Sequence, residues 1–272
     1  MPLAKKRLSL KDFLNPDHAA IDIAATPIFS ARGTDAIGAV LSESSWRSGR
    51  VIVRDSKGGF LGMLTSRDIL DFLGGGPKAR HFRESGLKTR VSRIMDSNVH
   101  HLERDQAAHE ALDFFRKHGR DAHPITDGGK IAGLLSETDF IRNIDRPMGV
   151  LVSDVMTRKP FTISEGTSIS EAARHLSRGA FRRIPVVSQG SVSGIVSPHD
   201  MLASMESHDP REVMGNESSV RTVMNRAVIS TKPGRDVHDA VKTMKRARLG
   251  FLPVIEDRRL VGIITERDIL EI

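Results

Sequence analysis

"GIITERDILEI", residues 262–272, is one of four versions of a single phrase: "GMLTSRDIL" starts at Gly62, "GLLSETDFI" at Gly133 and "GIVSPHDML" at Gly194. Each has a glycine, an apolar pair, a hydroxyl residue, and an aspartate three positions later that opens an apolar run. The aspartates, Asp68, Asp139, Asp200 and Asp268, stand roughly 60 to 70 residues apart, too far for solenoid units, so each phrase closes a small module of its own.

Working back from the phrase gives the module. In the third copy "DVMTRKPFTIS" (154–164) is an extended lead-in followed by a turn at Glu165-Gly166-Thr167. Ile169, Ala172, Ala173 and Leu176 then fall at i, i+3, i+4 and i+7, one apolar face of a helix. "RIPVVS", "QG" and "SVSGIVS" read as strand, turn and strand, a hairpin. "PHDMLASM" is a second helix with Pro198 at its favoured first position. The order is β-α-β-β-α. The fourth copy repeats it with Val237, Ala240, Val241 and Met244 on the helix, and copies one and two follow. Pro124, Pro185 and Pro253 share one place in the middle strand, where copy one has Ile52. Residues 74–93 and 204–221 read as connections.

The 272 residues are long enough for two ordinary domains, and 39% hydrophobic content marks a globular chain. No apolar run approaches the ~18 residues of a membrane span. The N-terminus carries charges where a secretory signal needs apolar residues, so a cytoplasmic protein is expected. Absence of cysteine excludes disulfides, thiolate metal sites and cysteine nucleophiles. A net charge of +7 invites a polyanion: nucleic acid, nucleotide or acidic protein.

The phrase has two readings. A hydroxyl followed three residues on by an acid is close to a helix capping box, with Thr65, Ser136, Ser197 and Thr265 as caps. Yet a capping box prefers Glu or Gln, and all four copies use Asp. The recurring glycine also marks close approach of a backbone or ligand. A short carboxylate at a helix start can accept both hydroxyls of a ribose, so capping and binding can coexist.

A β-α-β-β-α unit that opens on "RIMDS", "DVMTR" or "TVMNR" and closes on this phrase resembles the cystathionine-β-synthase (CBS) domain. Four copies in one chain resemble the gamma subunit of AMP-activated protein kinase and its archaeal relatives. The resemblance implies an α/β fold of four CBS units paired into two Bateman modules, forming a flat disk. The expected boundaries are a basic extension at 1–15, a module at 16–145 (units 16–75 and 91–145), and a module at 146–272 (units 150–207 and 220–272).

It further implies a non-catalytic, energy-sensing regulator that binds AMP, ADP or ATP, needs no cofactor or metal, and acts on a separate protein. S-adenosylmethionine is the alternative ligand, and a homodimer the alternative assembly. Asp68, Asp139, Asp200 and Asp268 would bind ribose, and Thr65, Ser136, Ser197 and Thr265 ribose or phosphate. Thr162, Ser230, Ile184 and Leu252 would frame adenine. Phosphate calls for cations. Arg182-Arg183 and Arg50 are the better candidates, with His199, Arg120, His123 and Arg248 near the equivalent places. Repeat 4 has Phe251 there instead.

Other classes are weaker. His100, His101 and His109 lack the spacing of a zinc site. No nucleophile elbow, phosphate loop or metalloprotease motif is present. Nucleic-acid binding is the rival from another class. It rests on Lys5-Lys6-Arg7, on the first connection (Lys78, Arg80, Arg83, Lys88, Arg90, Arg93) and on "KTMKRAR" at 242–248. Against it, aromatic residues make up only 4% of the chain, so stacking platforms are scarce.

Overall fold

The computed structural model describes residues 7–24, 28–43, 49–75, 84–178, 181–205 and 218–272; Lys5, Lys6, Lys78, Arg80, Arg83 and much of both connections lie outside them. Repeat 1 comprises helix α1 (Ala20–Ile23), strand β1 (Ser30–Arg32), helix α2 (Ile37–Leu41), strands β2 (Arg50–Arg54) and β3 (Phe60–Thr65), and helix α3 (Ser66–Leu70). Repeat 2 comprises β4 (Leu102–Glu103), α4 (Ala108–His118), β5 (Ala122–Asp127), β6 (Lys130–Ser136) and α5 (Glu137–Ile141). Repeat 3 comprises α6 (Val152–Val155), β7 (Thr157–Arg158), β8 (Ile163–Ser164), α7 (Ile169–Arg178), β9 (Ile184–Ser188), β10 (Ser191–Val196) and α8 (Pro198–Ser204). Repeat 4 comprises α9 (Val237–Ala247), β11 (Phe251–Glu256), β12 (Arg259–Thr265) and α10 (Glu266–Leu270).

The β-α-β-β-α order holds. In repeats 1 to 3 a parallel first strand precedes an antiparallel hairpin. In repeat 4 that first strand is reduced to one bridge, Thr231 to Val254. Helical faces bury as their period requires: Ile169, Ala172, Ala173 and Leu176 are all buried, as are Val237, Ala240, Val241 and Met244.

Two compact units result, and they interleave along the chain. One holds Met1–Pro27, His100–Pro160 and Ile229–Ile272; the other holds Ile28–Val99 and Phe161–Val228. The first therefore joins the bodies of repeats 2 and 4 around one core, and the second joins those of repeats 1 and 3 around another. Residues 7–15, which read as an extension, belong to the first core: Leu10, Phe13 and Leu14 are buried, and Leu8 N–H donates to the Met148 carbonyl.

The lead-in segments are exchanged. That of repeat 2 bridges β3 of repeat 1, with Met63 and Asp96 exchanging backbone hydrogen bonds. That of repeat 1 lays Ile21 on β6 of repeat 2. Likewise β7 of repeat 3 pairs with β12 of repeat 4, and Asn225 of repeat 4 bridges Ile195 of repeat 3.

The exchange explains the recurrent glycine. A Cβ on Gly62 would collide with the Asp96 carbonyl, and one on Gly133 with Ile21. At Gly194 it would lie 3.1 Å from the Asn225 carbonyl, and at Gly262 3.0 Å from that of Thr157. The glycine admits the crossing lead-in of the neighbouring repeat. Gly62→Ala is expected to cost about 1–3 kcal/mol by overpacking. Gly166→Ala, where an added Cβ meets nothing within 4 Å, should be near neutral. Equal urea midpoints for the two variants would contradict this account.

Candidate functional site

Each repeat presents the same strand-to-helix junction, and all four build a cap. Thr65 donates from its backbone N–H (2.8 Å) and its hydroxyl (2.6 Å) to Asp68 Oδ2, and its hydroxyl accepts from the Asp68 N–H at 3.3 Å. Ser136 donates the same pair to Asp139 at 2.8 and 2.6 Å, and Thr265 to Asp268 at 2.7 Å each. In repeat 3 the Ser197 hydroxyl donates to Asp200 and accepts from its N–H, with Pro198 next in the chain. Aspartate thus serves as the acid of the capping box. Its Oδ2 takes the cap hydrogen bonds in every repeat, while Oδ1 of Asp139 goes to Arg142.

The four junctions differ in exposure. Asp68, Asp200 and Asp268 are half-buried, whereas Asp139 is 1% exposed and its Oδ1 accepts from Arg142 at 2.9 Å. Burial raises the Asp268 carboxyl above the ordinary carboxylate range, and Glu271 adds to this; hydrogen bonds from Thr265 and Thr157 oppose it.

Strand register sets what stands opposite each cap. Arg50 pairs directly with Thr65 across the β2–β3 ladder. In repeat 3, Ile184 pairs with Val196, so Arg183 precedes the strand beside Ser197, with Arg182 next to it. Repeats 2 and 4 have buried Ala122 opposite Ser136 and buried Phe251 opposite Thr265. Arg120 precedes Ala122 by two residues, and Arg248 precedes Phe251 by three and closes helix α9 in the left-handed conformation.

Three more of the expected site residues are buried. His123 is fully buried, its ring edge-on to Phe114 and Phe115 and its Nδ1 bonded to the His100 carbonyl, so it serves the core rather than a phosphate. Ile184 and Leu252 are likewise fully buried, and their side chains pack inside. Thr162 and His199 stay partly exposed in repeat 3. Ser230 lines a groove of about 530 Å³ on repeat 4 together with Lys232, Lys242 and Arg246.

A second groove, of about 440 Å³, has Asp268 in its lining with Arg7, Val150, Asp154, Glu271 and Ile272. Arg7 bonds Asp154 at 2.8 Å. Sequence reasoning missed Arg7, Asp154 and Glu271 here, because chain-distant segments bring them together. Among the described residues no group of three or more His, Asp or Glu could hold a metal ion, and no helix is long and apolar enough to cross a membrane.

Comparison with known proteins agrees with this architecture. The CBS domain family matches four times, at residues 20–75, 91–146, 152–207 and 220–272. Protein MJ1225 of Methanocaldococcus jannaschii is 31% identical over 233 residues, covering 78% of this chain and 82% of that protein. Its crystal structure, put forward as that of an archaeal homolog of g-AMPK, superposes with a TM-score of 0.82 over 92% of this chain and 98% of that one. A conserved protein from Pyrococcus horikoshii, 20% identical, shares the fold at a TM-score of 0.60 over 92% of this chain and 97% of that one. Four matched repeats, each with its own capped strand-to-helix junction, make this chain a member of the CBS-domain family.

Proposed function

We propose that this chain is a non-catalytic regulator that binds adenine nucleotide and acts on a separate protein, built as tandem modules at 16–145 and 146–272. One observation carries the reading: in repeats 1 and 3 a half-buried aspartate, held by its cap, shares a junction with an arginine, Arg50 or Arg183. Carboxylate suits a ribose diol, and guanidinium suits phosphate. In repeat 2, Asp139 is buried and paired with Arg142, so its role is structural. The likeness to a protein put forward as a homolog of g-AMPK supports the same ligand class.

Binding would act by linkage: ligand at about 100 times its Kd adds about 2.7 kcal/mol of stability to the arrangement it prefers. The test is a thermal-shift panel of AMP, ADP, ATP, GTP and S-adenosylmethionine. An AMP shift is expected, reduced about tenfold in affinity by Asp200→Asn or Arg183→Ala and unchanged by Asp139→Asn. Absence of a shift with every adenosine ligand would sink the reading.

The groove at Asp268 favours S-adenosylmethionine as a second reading for repeat 4. Among the described residues Arg7 is the one cation lining it, against Asp154, Asp268 and Glu271, and Phe251 stands opposite the cap. Such a lining suits a cationic sulfonium better than a phosphate. Asp268→Asn should then abolish the S-adenosylmethionine shift and spare that of AMP.

A further inference from the structure

Lys242, Lys245 and Arg246 of the basic run at 242–248 play no part in the nucleotide reading. Tertiary structure sorts that run. Lys245 Nζ is committed to the fold, donating to the carbonyls of Arg142 (2.7 Å) and Ile144 (2.9 Å), and burial lowers its pKa. Arg248 closes the helix. Lys242 and Arg246 are exposed and make no ion pair among the described residues. They share their groove with Lys232, also exposed and without an ion pair there, and with Arg235, which meets Asp239, the one acid in the lining, at 3.3 Å. The lining carries four cations against one carboxylate, and Ser230 and Thr231 add hydroxyls.

The geometry points to a binding track for the phosphodiester backbone of duplex nucleic acid on this face of repeat 4. Lys242 and Arg246 are one helical turn apart, the helix rises about 14 Å from Val237 to Arg246, and Lys232 and Arg235 lie on the segment before it. A line of cations of that length follows successive phosphates of a strand, whereas the phosphates of a mononucleotide gather at one point. The hydroxyls supply further hydrogen bonds to phosphate oxygens. Among the described residues no aromatic side chain lines the groove, so unstacked bases find no platform there, which favours duplex over single strand and backbone over sequence readout. The track is separate from the Asp268 groove, and its carboxylate is engaged by Arg235.

The test is fluorescence anisotropy of the full chain with a labelled 20-base-pair duplex across a salt series. Neutralising three to four phosphates predicts a slope of log K against log salt of about −3. Lys242→Glu/Arg246→Glu is expected to weaken binding by at least about tenfold and to flatten the slope by about 2, leaving the AMP thermal shift unchanged. Lys232→Gln/Lys242→Gln, which removes charge without reversing it, should give a smaller loss in the same direction. Absence of duplex binding, as for a track that takes an acidic protein, would overturn the proposal. So would an unchanged slope in both variants, tighter binding of a single strand of equal length, or displacement of the duplex by equimolar ATP.

Discussion

Arg267→Ala is expected to cost about 3–5 kcal/mol, the largest single loss among the substitutions considered, because it removes an ion-pair partner of a buried carboxylate together with two hydrogen bonds to backbone carbonyls. Arg267 sits in the first turn of α10 in repeat 4 with its side chain 25% exposed. Its Nε meets Glu137 Oε1 of repeat 2 at 2.8 Å, and Glu137 is 2% exposed. Its other nitrogens donate to the Phe115 carbonyl at 3.0 Å and the Arg120 carbonyl at 2.9 Å. One planar guanidinium thus donates to two carbonyls and pairs with one carboxylate where repeats 2 and 4 share a core. Beside it, the Thr138 hydroxyl donates to Glu266 at 2.7 Å, and Arg116 donates to the Leu270 carbonyl at 2.6 Å. Lysine keeps the charge but loses the fork, so Arg267→Lys should fall between wild type and alanine. Pairing Arg267→Ala with Glu137→Gln should recover part of the loss, since the uncompensated charge is then gone. Urea unfolding at neutral pH measures all of these. A loss below about 1 kcal/mol would place the contact with ordinary surface pairs and refute the assignment.

Stability should also fall on acidification, through His123. Burial lowers its pKa to about 4 from 6.5; its hydrogen bond to the His100 carbonyl and the charge of Asp121 pull the other way, while Arg120 and His118 push in the direction of burial. The neutral ring donates from Nδ1 to that carbonyl at 2.9 Å, and Nε2 is buried without a hydrogen-bond partner among the described residues. The folded pKa lies below the unfolded one, so the unfolded chain takes up the proton first. The stabilisation is fully present above about pH 6.5 and is lost progressively as pH falls to about 4, on the order of 3 kcal/mol in all. Asp268, whose carboxyl is raised by burial, acts with the opposite sign at the acid end. The clean measurement is therefore the difference between wild type and His123→Leu, which shares every other titration. The stability of wild type relative to the variant should fall by about 3 kcal/mol as pH falls from 6.5 to 4, and parallel profiles would contradict the buried neutral imidazole.

Much of the fold was legible because it is written in short-range periods. Ile169, Ala172, Ala173 and Leu176 marked a helix face, and all four are buried. The hairpin in each repeat followed from two short apolar strands about a polar turn. The closing phrase named its own cap, because the Thr65 hydroxyl and Asp68 interact across a single helical turn. The candidate site was legible only to that depth. Asp139 reads like its three counterparts, yet packing buries it and Arg142 takes its outer oxygen. His123 stood beside a strand start like a phosphate ligand, and Phe114 and Phe115 enclose it.

By itself the sequence determined four β-α-β-β-α repeats, their capped second helices and the positions where a carboxylate and a cation fall at one junction. These depend on residues within a few turns or one hairpin of each other, where spacing alone fixes neighbours. Tertiary structure decided that alternate repeats share a core, and that each recurrent glycine admits a neighbour's lead-in segment. It also decided which aspartates and lysines remain open to solvent. Those outcomes turn on which distant segments exclude water from a given side chain, a matter of packing that no local spacing records.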